Sequence, residues 1–173
     1  MGKDTHKHKL VSHERLSDVD IDGTGYSEAI KGSNITDVVV RNFSAKGGNE
    51  DCIDIVRGSD YLFHHGRLEA NGCRTFITIK GGVDGVVMSE IVLTGKPKWF
   101  WDISLGDHTI YGWDAGKCKE IKFNHIRHES GKPVRILVLN SEVPLWVDDY
   151  DNYKIYKVPK LLVRLLFWFR ELF

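Results

Sequence analysis

The sequence predicts an all-β fold: a right-handed parallel β-helix, that is, a solenoid of about four to five coils, followed by a C-terminal amphipathic helix. Three observations carry this reading. A strand motif recurs along the chain, a second strand follows each copy after a turn-rich stretch, and the two series advance nearly in step.

The first series is Val38-x-Val40-x-x-Phe43, Tyr61-x-Phe63-x-x-Gly66, Val86-x-Met88-x-x-Ile91 and Ile121-x-Phe123-x-x-Ile126. The second is Ile53-Asp54-Ile55, Ile77-Thr78-Ile79, Ile103-Ser104-Leu105 and Ile136-Leu137-Val138. Val40 to Phe63 is 23 residues and Phe63 to Met88 is 25, while the second series repeats at 24 and 26. Each strand alternates with period two, so it offers one apolar face. A single coil cannot bury that face, but stacked coils bury one another. Gly47, Gly48, Asn71, Gly72, Gly81 and Gly82 supply the corners. Ala29-Ile30-Lys31-Gly32-Ser33 echoes Ile55-Val56-Arg57-Gly58-Ser59, so a partial coil with Val19 and Ile21 precedes Val38. A leucine-rich repeat would need a leucine consensus that is missing, and a β-sandwich would not need two registers moving together.

In chain order, residues 1–15 read as an N-terminal arm, 16–142 as the β-helix, and 143–173 as a linker and amphipathic helix. Met88 to Phe123 is 35 residues, so an insertion lies around residues 96–117, rich in Trp99, Phe100, Trp101, Tyr111 and Trp113. On a helical wheel Lys157, Lys160, Arg164 and Glu171 share a narrow face, and Leu162, Leu165, Leu166, Trp168 and Phe169 are on the apolar remainder. Pro159 suits the first turn. Exposing that apolar side costs about 25 cal/mol per Å², so it is expected to cap the open coil, meet a copy of itself, or lie on a membrane surface.

The chain has 173 residues, suited to one domain, and zero formal net charge, which gives no nucleic-acid footprint. Cys52, Cys73 and Cys118 cannot all pair and form no C-x-x-C, which favours reduced thiols over disulfides or a zinc site. No charged, then apolar, leader opens the sequence, so synthesis in the cytoplasm without a signal peptide is expected. The start Met1-Gly2-Lys3-Asp4-Thr5-His6 has His where a myristoylation motif needs Ser or Thr.

The stretch Glu50-Asp51-Cys52-Ile53-Asp54-Ile55-Val56-Arg57-Gly58-Ser59, with the repeat style around it, resembles the pectin-lyase-like superfamily of right-handed β-helices, which includes polygalacturonases, pectate lyases and phage tailspikes. The resemblance implies an acidic site at Asp51 and Asp54. The Asn-Thr-Asp and Gly-His-Gly parts of the polygalacturonase signature are absent, so fold and activity separate here. The short solenoid also resembles phage structural proteins.

Besides the terminal helix, four features are candidate sites, with one ion pair beside them. Asn42, His65, Glu90 and His125 share one register position, read either as a His65–Glu90–His125 metal or acid–base site or as a polar ladder along a turn. Asp18-x-Asp20-x-Asp22-Gly23 resembles the start of a calcium loop, yet alternation alone would point Asp18, Asp20 and Asp22 to water. Calcium is the one cofactor in view, and otherwise none is expected. Trp99, Phe100, Trp101, Tyr111 and Trp113 are candidates for stacking on sugars or anchoring a partner, or for packing over the side of the solenoid. Asp102 and Arg135 are read as outward neighbours forming a surface salt bridge of small value. The histidines His6, His8 and His13 belong to the arm, which is suited to metal binding or to gripping a neighbouring subunit.

These features favour a non-enzymatic structural or binding protein, a virion component of spike, fibre or decoration type, assembling as a homo-oligomer with other virion proteins. The second reading is a carbohydrate-active enzyme or carbohydrate-binding β-helix related to polygalacturonases, using Asp51, Asp54 and the aromatics. The third is a membrane-peripheral protein held by residues 159–173.

Overall fold

The computed structural model describes residues 6–106, 118–139 and 144–158. Its strands are β1 (His6–Lys9), β2 (Arg15–Asp22), β3 (Glu28–Lys46), β4 (Asp51–Glu69), β5 (Thr75–Lys80), β6 (Asp84–Thr94), β7 (Ile103–Gly106), β8 (Lys119–Asn124), β9 (Arg127–His128), β10 (Val134–Leu139), β11 (Leu145–Val147) and β12 (Tyr153–Val158). Every pairing is parallel. The result is a parallel β-solenoid of about five turns with short rungs at its ends.

Two ladders run along it. In the first, Ile30, Ile53, Ile77, Ile103, Ile136 and Ile155 lie in register, rung upon rung. In the second, Val40, Phe63, Met88, Phe123 and Val147 do the same. All of these are buried except Ile155, which is partly buried against the core. The apolar stack is therefore continuous, as the two synchronous repeats predict. Gly66 shows how tightly it closes, since a methyl group there would overlap the Phe43 ring from the preceding turn.

Corners set the cross-section. Asp18, Asn42, His65, Glu90 and His125 all have left-handed backbone, with φ between 47° and 57°. A second column (His13, Asp37, Asp60, Gly85 and Glu120) does the same, with φ from 48° to 72°. Asn, Asp and His tolerate this conformation best; the Glu members, Glu90 and Glu120, are uncommon there and persist because the stack dictates the bend.

The solenoid is longer than its sequence repeats suggest. Strand β1 pairs with β3, so residues His6–Lys9 form a rung. Beyond residue 143, β11 continues the second ladder on β8 and β12 continues the first on β10. Ile126 N–H donates to the Tyr153 hydroxyl at 3.1 Å, tying β12 to the turn beside it.

The predicted C-terminal amphipathic helix is corrected. Among the described residues the helical element is a three-residue 3-10 turn, Tyr150–Asn152, and Lys157, assigned to the polar face of that helix, is in strand β12. The alternating Tyr153-Lys154-Ile155-Tyr156-Lys157-Val158 follows the strand period and completes a register with β10 that a helical turn could not. Leu162, Leu165, Leu166, Trp168 and Phe169 lie outside the described residues. No helix among the described residues is long and apolar enough to cross a membrane.

Candidate functional site

The first ladder has a corner of its own, and the candidate site is on its outside. In β3, β4 and β5 the pairing register skips Ala29, Cys52 and Phe76. Each skipped residue is buried, and so is the isoleucine after it, so two consecutive side chains enter the core. The flanking residues then face outward together: Glu28 with Lys31, Asp51 with Asp54, and Thr75 with Thr78. This kink, repeated in register on all three strands, brings carboxylates from neighbouring turns together.

One oxygen each from Glu28, Asp51 and Asp54 lies within 4.8 Å of the others, and all three residues are buried. Among the described residues this is the group with metal-ligand geometry. It is an all-oxygen donor set, the kind that suits a hard cation such as calcium. Lys31 binds Asp54 and lies 3.4 Å from Glu28; Lys80 Nζ is 3.0 Å from Asp54 Oδ2. His6 Nδ1 is 2.7 Å from Glu28 Oε2, and the Thr75 hydroxyl donates to Asp51 Oδ1 at 2.6 Å. Burial first, and the adjacent Asp54 charge second, push the Asp51 carboxyl up to about 7, with the Thr75 bond pulling the other way. Asp54 Oδ1 has no hydrogen-bond partner.

The aromatic residues Trp99, Phe100 and Trp101 are in the turn between β6 and β7. Trp99 meets Trp101 edge-on at 5.4 Å, and Phe100 meets Tyr156 likewise at 5.4 Å. The Arg74 guanidinium lies 5.5 Å from the Trp99 ring centre and that of Arg135 5.0 Å from Phe100. Phe100 is 58% exposed and Trp99 36%, whereas Trp101 is half-buried with its indole N–H unpartnered. Tyr111 and Trp113 lie outside the described residues. The register aligns Lys31, Asp54, Thr78, Ser104, Leu137 and Tyr156 in one outward column, so acidic cluster and aromatic patch share a face.

The other sequence candidates separate. His65, Glu90 and His125 do stand one above another, but as members of the left-handed corner. His125 pairs with Glu90 at 3.7 Å and Asp148 at 3.2 Å, and His65 stacks on His64, so no three-ligand group forms. An open groove of about 410 Å³ follows this corner past Asp18, Asn42, Ser44, Arg67 and Glu90. Asp18, Asp20 and Asp22 point to water, as alternation predicts; Asp20 is taken by Ser44, and Asp22 by the backbone and hydroxyl of Thr24 at 2.9 and 2.5 Å. The three cysteines are buried thiols, with Cys52 and Cys73 Sγ 4.0 Å apart.

Asp102 and Arg135 do pair, but not at the surface. Asp102 is fully buried, at the register position of Ala29, Cys52 and Phe76 on the inner side of the corner. Arg135 donates to it from its backbone N–H (2.8 Å), Nε (3.0 Å) and Nη2 (2.9 Å), and His128 Nε2 lies 3.2 Å away. Burial works against the Asp102 charge, but the His128 and Arg135 bonds outweigh it and hold the carboxyl below its usual range. Strict alternation placed Asp102 outward; the doubled inward pair at this corner reverses it.

Glu28 is the member that sequence reasoning missed. Its signal is the repeated pattern polar–apolar–apolar–polar in Glu28-Ala29-Ile30-Lys31, Asp51-Cys52-Ile53-Asp54 and Thr75-Phe76-Ile77-Thr78. No protein-family model matches the chain, and no curated protein or solved structure matches it either.

Proposed function

We propose that this chain is a carbohydrate-binding β-solenoid whose sugar platform is the aromatic patch at Trp99, Phe100 and Tyr156. A parallel solenoid suits structural, binding and enzymatic roles alike. What tips the reading is the aromatic patch, which is exposed, backed by arginines and set on the outer face of the first ladder. Flat aromatic rings stack on the apolar faces of sugar rings, and rings held by their neighbours lose little freedom on binding. The resemblance around Asp51 and Asp54 to polygalacturonases points to the same ligand class.

Binding is favoured over cleavage. A general acid near neutrality beside an ionised carboxylate is the pairing that glycoside hydrolysis uses. Here, however, Asp54 is 0% exposed and Asp51 6%, too closed for a glycosidic oxygen to reach.

Affinity electrophoresis of the full chain through neutral and acidic polysaccharides tests this. Retardation by at least one polymer is expected, with Phe100→Ala and Trp99→Ala each weakening it roughly tenfold or more, in line with the loss of a buried aromatic contact. Migration unchanged in every polymer, or retardation indifferent to both substitutions, overturns the proposal.

A further inference from the structure

The geometry points to a calcium ion bound by Glu28, Asp51 and Asp54, stapling the turn of β3 to the turn of β4. The inference is independent of sugar binding and uses different residues.

Two observations carry it. The first is the donor set. Three carboxylates from adjacent turns converge with their oxygens within 4.8 Å of one another, inside the span that opposed ligands of a calcium ion reach. The second is Asp54. Its side chain is completely buried, Lys31 and Lys80 both bind its Oδ2, and Oδ1 is left without a partner. A buried carboxylate oxygen with nothing to accept from is costly, so something is expected to meet it. The Glu28 and Asp51 carboxylates beside Asp54 attract a cation and repel any further anion. The Thr75 and Thr78 hydroxyls, 3.0 Å apart beside Asp51, offer neutral oxygens on the next turn. Magnesium retains several waters when bound, and a site this enclosed has little room for them.

The lysines set the strength. Three carboxylates face two ammonium groups, so much of the charge that calcium would neutralise is already met. The affinity is therefore that of a low-affinity site, with Kd on the order of a millimolar. Removing one lysine should tighten it, because a like charge beside the ion disappears.

The experiment is calcium titration of the full chain, stripped with chelator, by isothermal calorimetry and by thermal unfolding. One ion per chain is expected, with Tm rising as calcium is added. Lys80→Gln should bind roughly tenfold tighter. Glu28→Gln and Asp54→Asn should abolish the response, and Asp20→Asn, on the opposite acidic stretch, should keep it. Glu28 lies at the edge of the cluster, so Glu28→Gln serves if Asp54→Asn fails to fold. Absence of calcium uptake in both the native chain and Lys80→Gln overturns the inference and leaves Oδ1 to a water molecule. Uptake that survives Glu28→Gln also overturns it.

Discussion

Two buried acidic stations lie on the same ladder and differ in almost every respect. At Asp102 one carboxylate, on the inner side of the corner, is met by three donors from Arg135 and a fourth group from His128. At Glu28, Asp51 and Asp54 three carboxylates, on the outer side, share two lysines and a histidine. The first has donors to spare for its charge, and its carboxyl stays ionised; the second has charge to spare, and Asp51 holds its proton to about 7. The lesson is that burial alone does not make a site. A saturated carboxylate is a structural tie, and an unsaturated group is where a ligand has something to gain.

The largest expected effect is at the saturated station. Asp102→Ala leaves Arg135 and His128 facing a void and should cost about 3–5 kcal/mol in denaturant unfolding, the range for breaking one side of a buried ion pair. A loss below about 1 kcal/mol would mean that water replaces the carboxylate freely, and the contrast between the stations would vanish.

Next comes pH, measured with chelator present. Asp51 binds its proton more tightly folded than unfolded, so its contribution is fully present below about pH 4 and is lost as pH rises towards about 7. Asp102 has the opposite sign: its contribution is present above the ordinary carboxylate range and is lost as acid protonates it in the folded chain. Urea midpoints from pH 4 to pH 8 should therefore decline across the neutral approach, and Asp51→Asn should flatten that decline. A midpoint that rises over this interval in the native chain would contradict the crowded-carboxylate account.

The smallest effect is a control. Arg67 and Glu129 form an exposed pair at 2.7 Å, and Glu129→Gln should leave the urea midpoint essentially unchanged. If it matched Asp102→Ala, the number of ion pairs rather than their burial would govern this fold.

The apolar stack was legible because Ile53, Ile77, Ile103 and Ile136 repeat with a period that only stacking explains. The polar corner was also legible, since Asn42, His65, Glu90 and His125 share one register position. Two things were hidden. Strand β11 has three residues, and the chain around β11 and β12 lacks the glycine corners of the earlier turns, so their repeats fell below recognition. The doubled inward pairs Ala29-Ile30, Cys52-Ile53 and Phe76-Ile77 break strict alternation by one residue. That single slip exchanges inside and outside for everything before it, which is why Asp102 was placed at the surface and Glu28 went unnoticed beside Asp51.

The register also tolerates extra chain. Phe63 and Met88 are 25 residues apart and Met88 and Phe123 are 35 apart, yet both steps are one rung. The connection from β7 to β8 therefore absorbs added length without shifting a single hydrogen-bonded partner. For protein engineering, that spacing makes the chain between β7 and β8 the natural splice point: added residues there leave the periodic register of the scaffold in need of no redesign.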